Sequence, residues 1–171
     1  MKNIQKGQAY KLAHSQINAA IKGERPFPIE AIAIEESILS DRLYSALVAR
    51  LPDKAKETKK QGRGRALFGT ILGKIADART FVPVPEFLDL DAALSKKGGV
   101  KCLFEWKEGR NKFIHGLARS LEPGEPTEIG SDVYYEKGLD IACVGLDLVR
   151  IVKSWSQSCI RAANRVAKKK V

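Results

Sequence analysis

The sequence is poor in metal-ligating and disulfide-forming side chains. Its 171 residues hold three cysteines, Cys102, Cys143 and Cys159, and two histidines, His14 and His115. An odd number of cysteines with no Cys-x-x-Cys pair argues against a disulfide framework and a zinc site. Two histidines argue against a cluster of His and Cys ligands. The cysteines read as small core residues in a reducing compartment. No run approaches the ~20 apolar residues that span a bilayer. Residues 1–22 lack the apolar centre of a secretory signal. These absences set the expectation of a cytoplasmic protein with no metal, no cofactor and no membrane partner. Strand signals are scarce as well: the short run Phe81 to Val84 is interrupted by Pro83. No internal repeat, glycine-rich phosphate loop or Ser/His/Asp arrangement is visible.

What the chain does have is apolar content and positive charge. Hydrophobic residues make up 44%, enough for one domain with a core, and the whole chain 1–171 reads as a single helical domain. Thirty Lys and Arg against 20 Asp and Glu give a formal charge of +10. Such a balance favours phosphate-rich partners and carries no information about fold.

Helical periodicity organises the sequence. Helices are expected over about 4–22, about 28–51, roughly 66–78, a short stretch at 85–94, about 100–121, and from Ser131 or Asp132 past Asn164. Ile32, Leu39, Leu43 and Leu47 form the stripe of the second helix, and Glu36 falls on the same stripe. Leu67, Ile71, Leu72 and Ile75 mark the third. Leu139, Val144, Leu148, Ile151 and Trp155 mark the inward side of the last. Pro52 reads as a terminator, and residues 53–65, rich in Lys and Arg, read as a basic loop. Lys168, Lys169 and Lys170 read as a basic C-terminal end. With the short stretch at 85–94 set apart from the main helices, the reading is an all-α chain, a bundle of four to five helices.

The informative segment runs from Phe104 to Leu117. At 100° per residue, Leu103, Trp106, Phe113, Ile114, Leu117 and Leu121 share one face, and Arg110 sits in the middle of it. A charge on an apolar face needs a partner. Glu36 is the acid placed on the facing kind of stripe, and an Arg110–Glu36 pair across two helices would answer both burial problems. Asn111 and His115, four residues apart, share a neighbouring face. Glu108 and Arg119 lie on that face too. Gly109 and Gly116 bracket the motif. A glycine inside a helix costs roughly 0.5–1 kcal/mol relative to alanine, so close approach of another helix or of an RNA backbone is the expected reason.

The spacing Arg110-Asn111-x-x-x-His115 resembles the motif of the HEPN superfamily: Arg, a polar residue, and His four to six positions after the Arg, on a late helix of a bundle. The layout, with a long early helix, a lysine-rich excursion, the motif helix and a long final helix, is similar over residues 27 to 160. The resemblance implies a HEPN-type bundle and a metal-independent endoribonuclease that works as a homodimer on RNA. It further implies a toxin or phage-defence role, with an antitoxin or effector-complex partner. His115 would be the general acid/base, and an imidazole, with an ordinary pKa of about 6.5, suits that task. Arg110 would stabilise charge on the scissile phosphate. Asn111 would orient His115 or hold a phosphate oxygen. Lys107, Lys112 and Arg119 are the candidate RNA contacts, and Glu36 the structural partner. Position 117 is Leu117 where some HEPN toxins carry a tyrosine modified by a partner nucleotidyltransferase, so that mode of neutralisation is not expected.

Other readings stand beside this one. The mannitol-operon repressor type has a similar layout and serves as a regulatory module without catalysis. Arg110 is then an ion-paired structural residue and His115 a surface histidine. A charge-driven DNA-binding protein is a third reading, though no helix-turn-helix pattern is evident.

Overall fold

The computed structural model describes residues 2–22, 27–61, 67–81, 85–119 and 132–168. Among them the chain is all-helical. The elements are α1 (Lys2–Lys22), α2 (Pro28–Arg50), α3 (Pro52–Gln61), α4 (Phe68–Phe81), α5 (Pro85–Ala93), a 3-10 turn at Ser95–Lys97, α6 (Lys101–Arg119) and α7 (Asp132–Lys168). That is more helices than the four or five expected. Prolines set several starts. Pro28, Pro52 and Pro85 each occupy the first helical position, where a missing N–H costs nothing and the fixed φ is already helical.

The clearest correction concerns the lysine-rich stretch. Residues 53–61, expected as loop, form α3, and 62–66 lie outside the described residues. Pro52 ends one helix and opens the next: the Leu51 N–H still donates to the Leu47 carbonyl at 2.7 Å, and Leu51 itself accepts from Ala55 N at 3.1 Å. Ala55 and Thr58 provide a small buried side, and the Thr58 hydroxyl donates to the Lys54 carbonyl at 2.8 Å. Lys54 and Lys74 both pair with Glu57, at 3.6 and 3.3 Å. The hydrogen bond from Lys74 and the charge of Lys54 hold the Glu57 carboxyl below its ordinary range.

Smaller corrections follow from burial. Leu67 precedes α4 and is exposed, whereas Phe68 is buried. Val144 is exposed, being rotated about 100° from the buried Gly145. Cys102 and Cys159 are buried core residues but Cys143 is exposed. The end of the motif helix beyond Arg119, with Leu121, and Lys169 and Lys170 at the C-terminus lie outside the described residues. No helix among the described residues is long and apolar enough to cross a membrane.

The chain divides into two compact units, one of Met1–Ile38 with Glu105–Asp147, the other of Leu39–Phe104 with Leu148–Val171. The second unit buries Leu43, Leu47, Ile71, Ile75, Leu90 and Leu103. Its α3 packs on α4, α4 on α5, and α5 on the 3-10 turn. That turn closes on Gly98 and Gly99, whose φ values of 92° and 75° are left-handed and suit glycine. Asp91 Oδ1 accepts from Val100 N at 2.7 Å, and a side chain at Gly99 would collide with it. The first unit buries Ile17, Ala31, Ile32, Trp106, Phe113 and Ala142, and it holds the motif.

Candidate functional site

Among the described residues of this unit, three contacts tie α6 to α7. The Trp106 indole donates to the Ile141 carbonyl at 2.9 Å. The rings of Phe113 and Tyr134 stack at 4.4 Å with an interplanar angle of 22°. The Tyr134 hydroxyl donates to the Phe113 carbonyl at 3.2 Å. Burial pushes the Tyr134 phenol above its ordinary pKa. The packing is close enough to require glycine on α7. A Cβ at Gly138 would meet Phe113 Cζ at 2.6 Å and Pro28 Cγ at 2.9 Å.

Arg110 lies on this packed side and is ion-paired through Nη2 with Glu36 Oε1, as the two stripes suggest. The side chains are 19% and 31% exposed, so the pair is shielded but not sealed. Nη1 donates to Asn111 Oδ1 at 2.5 Å, while the buried Nε has no hydrogen-bond partner among the described residues. Burial draws the guanidinium below its ordinary pKa, yet an arginine starts so high that it keeps its charge. The Asn111 contact uses the amide oxygen and leaves the Nδ2 donors to other partners.

His115 is exposed near the C-terminal end of α6. It stands one turn beyond Asn111, about 40° around the axis and ~6 Å along it. From Arg110 it is displaced by about 140° and ~7.5 Å. The helix therefore aligns His115 with Asn111 and places Arg110 to one side, linked through the Arg110–Asn111 bond. Lys107 is half-buried and Lys112 exposed, on the turns that flank Arg110. Arg119 ends α6, and its side chain, like that of Leu117, lies outside the described residues. No three His, Cys, Asp or Glu side chains among the described residues gather in a way that could hold a metal ion.

Sequence reasoning missed Glu35. Its side chain is fully buried, and among the described residues neither carboxyl oxygen has a hydrogen-bond partner. The carboxyl lies over Gly145 of α7, where any Cβ would overlap Oε2 and meet Trp106 Nε1 at 2.8 Å. Burial alone pushes its pKa up to about 9, so it is a neutral acid at pH 7. The signal was present: Glu35 is three residues after Ile32 and four before Leu39, as central to the apolar stripe as Glu36. Comparison of the chain with known protein families, curated proteins and solved structures finds no match.

Proposed function

We propose that the protein is a metal-independent endoribonuclease of HEPN type, acting on RNA as a homodimer in a toxin or phage-defence setting. The observation that carries the reading is the division of labour on α6: Arg110 is fixed by Glu36 and Asn111, and His115 stands exposed one turn beyond Asn111. The +10 charge supports a polyanionic substrate.

In this reading the His115 imidazole takes the proton of an RNA 2′-hydroxyl as its oxygen attacks the adjacent phosphorus. The bond from phosphorus to the 5′-oxygen breaks, that oxygen takes a proton from water, and the proton held by His115 returns to solvent, so the step is proton-neutral. The products are a 2′,3′-cyclic phosphate and a 5′-hydroxyl. Arg110 offsets charge on the phosphoryl oxygens, and the Asn111 amide donors orient His115 or the phosphate. Glu36 holds the guanidinium in place and is a positioning residue. Two copies facing each other would present two such sets to one strand. Cytoplasmic action and an antitoxin or effector-complex partner belong to the same proposal.

The test is incubation with total RNA in EDTA. Wild-type protein is expected to cleave it, and His115→Ala to lower the rate by about 10²–10⁴-fold, the usual share of a general acid/base. Intact RNA, or equal cleavage by the variant, contradicts the reading. A second reading, a HEPN module that binds without cutting, is favoured by one observation: both terminal nitrogens of Arg110 are committed to Glu36 and Asn111. It predicts RNA or protein binding with no cleavage.

A further inference from the structure

Gly109 and Gly116 are unexplained by packing. Among the described residues a Cβ at either would meet nothing within 4 Å, so no described neighbouring helix of the unit requires them. Both line an open groove of about 450 Å³ between α6 and α7. That volume lies within the range of ~300–1,000 Å³ typical of ligand sites. Lys112 from α6 and Lys137 from α7 line the groove, and both are exposed. Tyr134, half-buried and braced on Phe113, gives it an aromatic wall. Asp140 adds one acceptor on the α7 side.

We propose that this groove is a binding track for single-stranded RNA, seating the nucleotide next to the one acted on at His115. The proposal rests on the ribonuclease reading for its substrate and deepens it by naming where the strand lies. Charge decides the occupant. Two lysines on opposite walls attract a phosphodiester, whereas the same groove of a second copy seated on it would set lysine against lysine. The glycine floor admits a sugar-phosphate backbone close to α6. His115 is rotated about 100° from Gly116 and does not line the groove, but Lys112, which does, precedes it by three residues and shares its side of the helix, so a strand leaving the groove past Lys112 reaches the imidazole. Tyr134 offers a base a ring to stack on. Asp140 can accept from a base amino group or a ribose hydroxyl.

The test is fluorescence anisotropy of a labelled 2′-O-methyl RNA 12-mer, whose methylated 2′-oxygens cannot attack phosphorus, titrated with the full chain. Wild type is expected to bind. Gly116→Leu starts from a Cβ that meets no described atom, projects its side chain into the groove and is expected to weaken binding about tenfold or more, the scale of one lost stacking or backbone contact, with an unchanged or raised melting temperature. Lys112→Ala is expected to flatten the dependence of log K on log salt by about 0.7, the value for one single-strand phosphate contact. No binding by wild type, or equal binding by both variants, overturns the groove. Conversion of a dimer to a monomer by Gly116→Leu, seen in sedimentation, assigns the groove to a second copy and also overturns it. Groove-sensitive binding without cleavage of unmodified RNA leaves the track standing and removes the nuclease. Cleavage with equal binding by the variants does the reverse.

Discussion

Gly138 and Gly145 on α7, and Gly109 and Gly116 on α6, share a spacing of seven residues and differ in what lies above them. Over the α7 pair sit Phe113 and Pro28 at one position and Glu35 and Trp106 at the other. Over the α6 pair no described residue stands within 4 Å of where a Cβ would be. Seven residues is close to two helical turns, so each pair marks one face of its helix. The lesson is that identical sequence spacing records two demands. On α7 it records internal packing: helices α2 and α6 approach so closely that any side chain would collide. On α6 it leaves an empty face beside the candidate chemistry, where internal packing asks for nothing.

The packed side gives the largest expected effect, through the carboxyl that rests on Gly145. Glu35 titrates near 9 when folded and near 4.5 as an ordinary glutamate. Between those values the native state holds a proton that the unfolded chain has lost. The unfolded state then binds fewer protons, and stability falls as pH rises through that window, by about 1.4 kcal/mol per pH unit at most for one group. Urea unfolding at about pH 5 and about pH 8 should show this loss in the wild type and a much flatter profile in Glu35→Gln. A wild-type profile as flat as the variant's would place Glu35 in contact with water and undo the packed half of the comparison.

Gly145→Ala comes next. The added methyl overlaps a carboxyl that is itself buried, and overpacking of this kind costs about 1–3 kcal/mol. A lowered urea midpoint is expected, and an unchanged one would mean that α2 and α7 yield easily. Smallest is Gly109→Ala. With nothing above the new methyl, only helix propensity changes, and stability should rise by about 0.5–1 kcal/mol. A loss at Gly109 comparable to that at Gly145 would erase the difference between the two faces.

How much of this was legible in the sequence depends on how local each cause is. Pro28 and Pro85 fix helix starts through their own rings, and both starts could be read directly. The Arg110–Glu36 pair could be read because each residue interrupts an apolar stripe and no other solution to its burial was at hand. α3 was hidden because its composition is polar. Among its described side chains Ala55 and Thr58 mark the buried side, too little to register as periodicity. Val144 and Cys143 were misplaced because the buried stripe of α7 runs through Ala142, Gly145, Val149, Val152 and Ser156, and these two apolar residues fall beside it. Glu35 was missed because a second acid beside Glu36 looked like a solvated neighbour. Its burial is set by Gly145, 110 residues away in the chain. The glycines are visible in the sequence of both helices, yet among the described residues a close helix contact exists over the α7 pair and not over the α6 pair. No single-sequence pattern separates the two cases, since the neighbour that decides them comes from another helix.

The functional half of the account turns on which face of α6 meets RNA. Amide chemical-shift mapping of the ¹⁵N-labelled chain with the 2′-O-methyl RNA 12-mer tests it most directly. The account predicts shifts at Gly109, Lys112, His115 and Gly116, with Gly138 and Gly145 left unmoved. Shifts that spare α6, or that fall on the packed glycines of α7 alone, would contradict it.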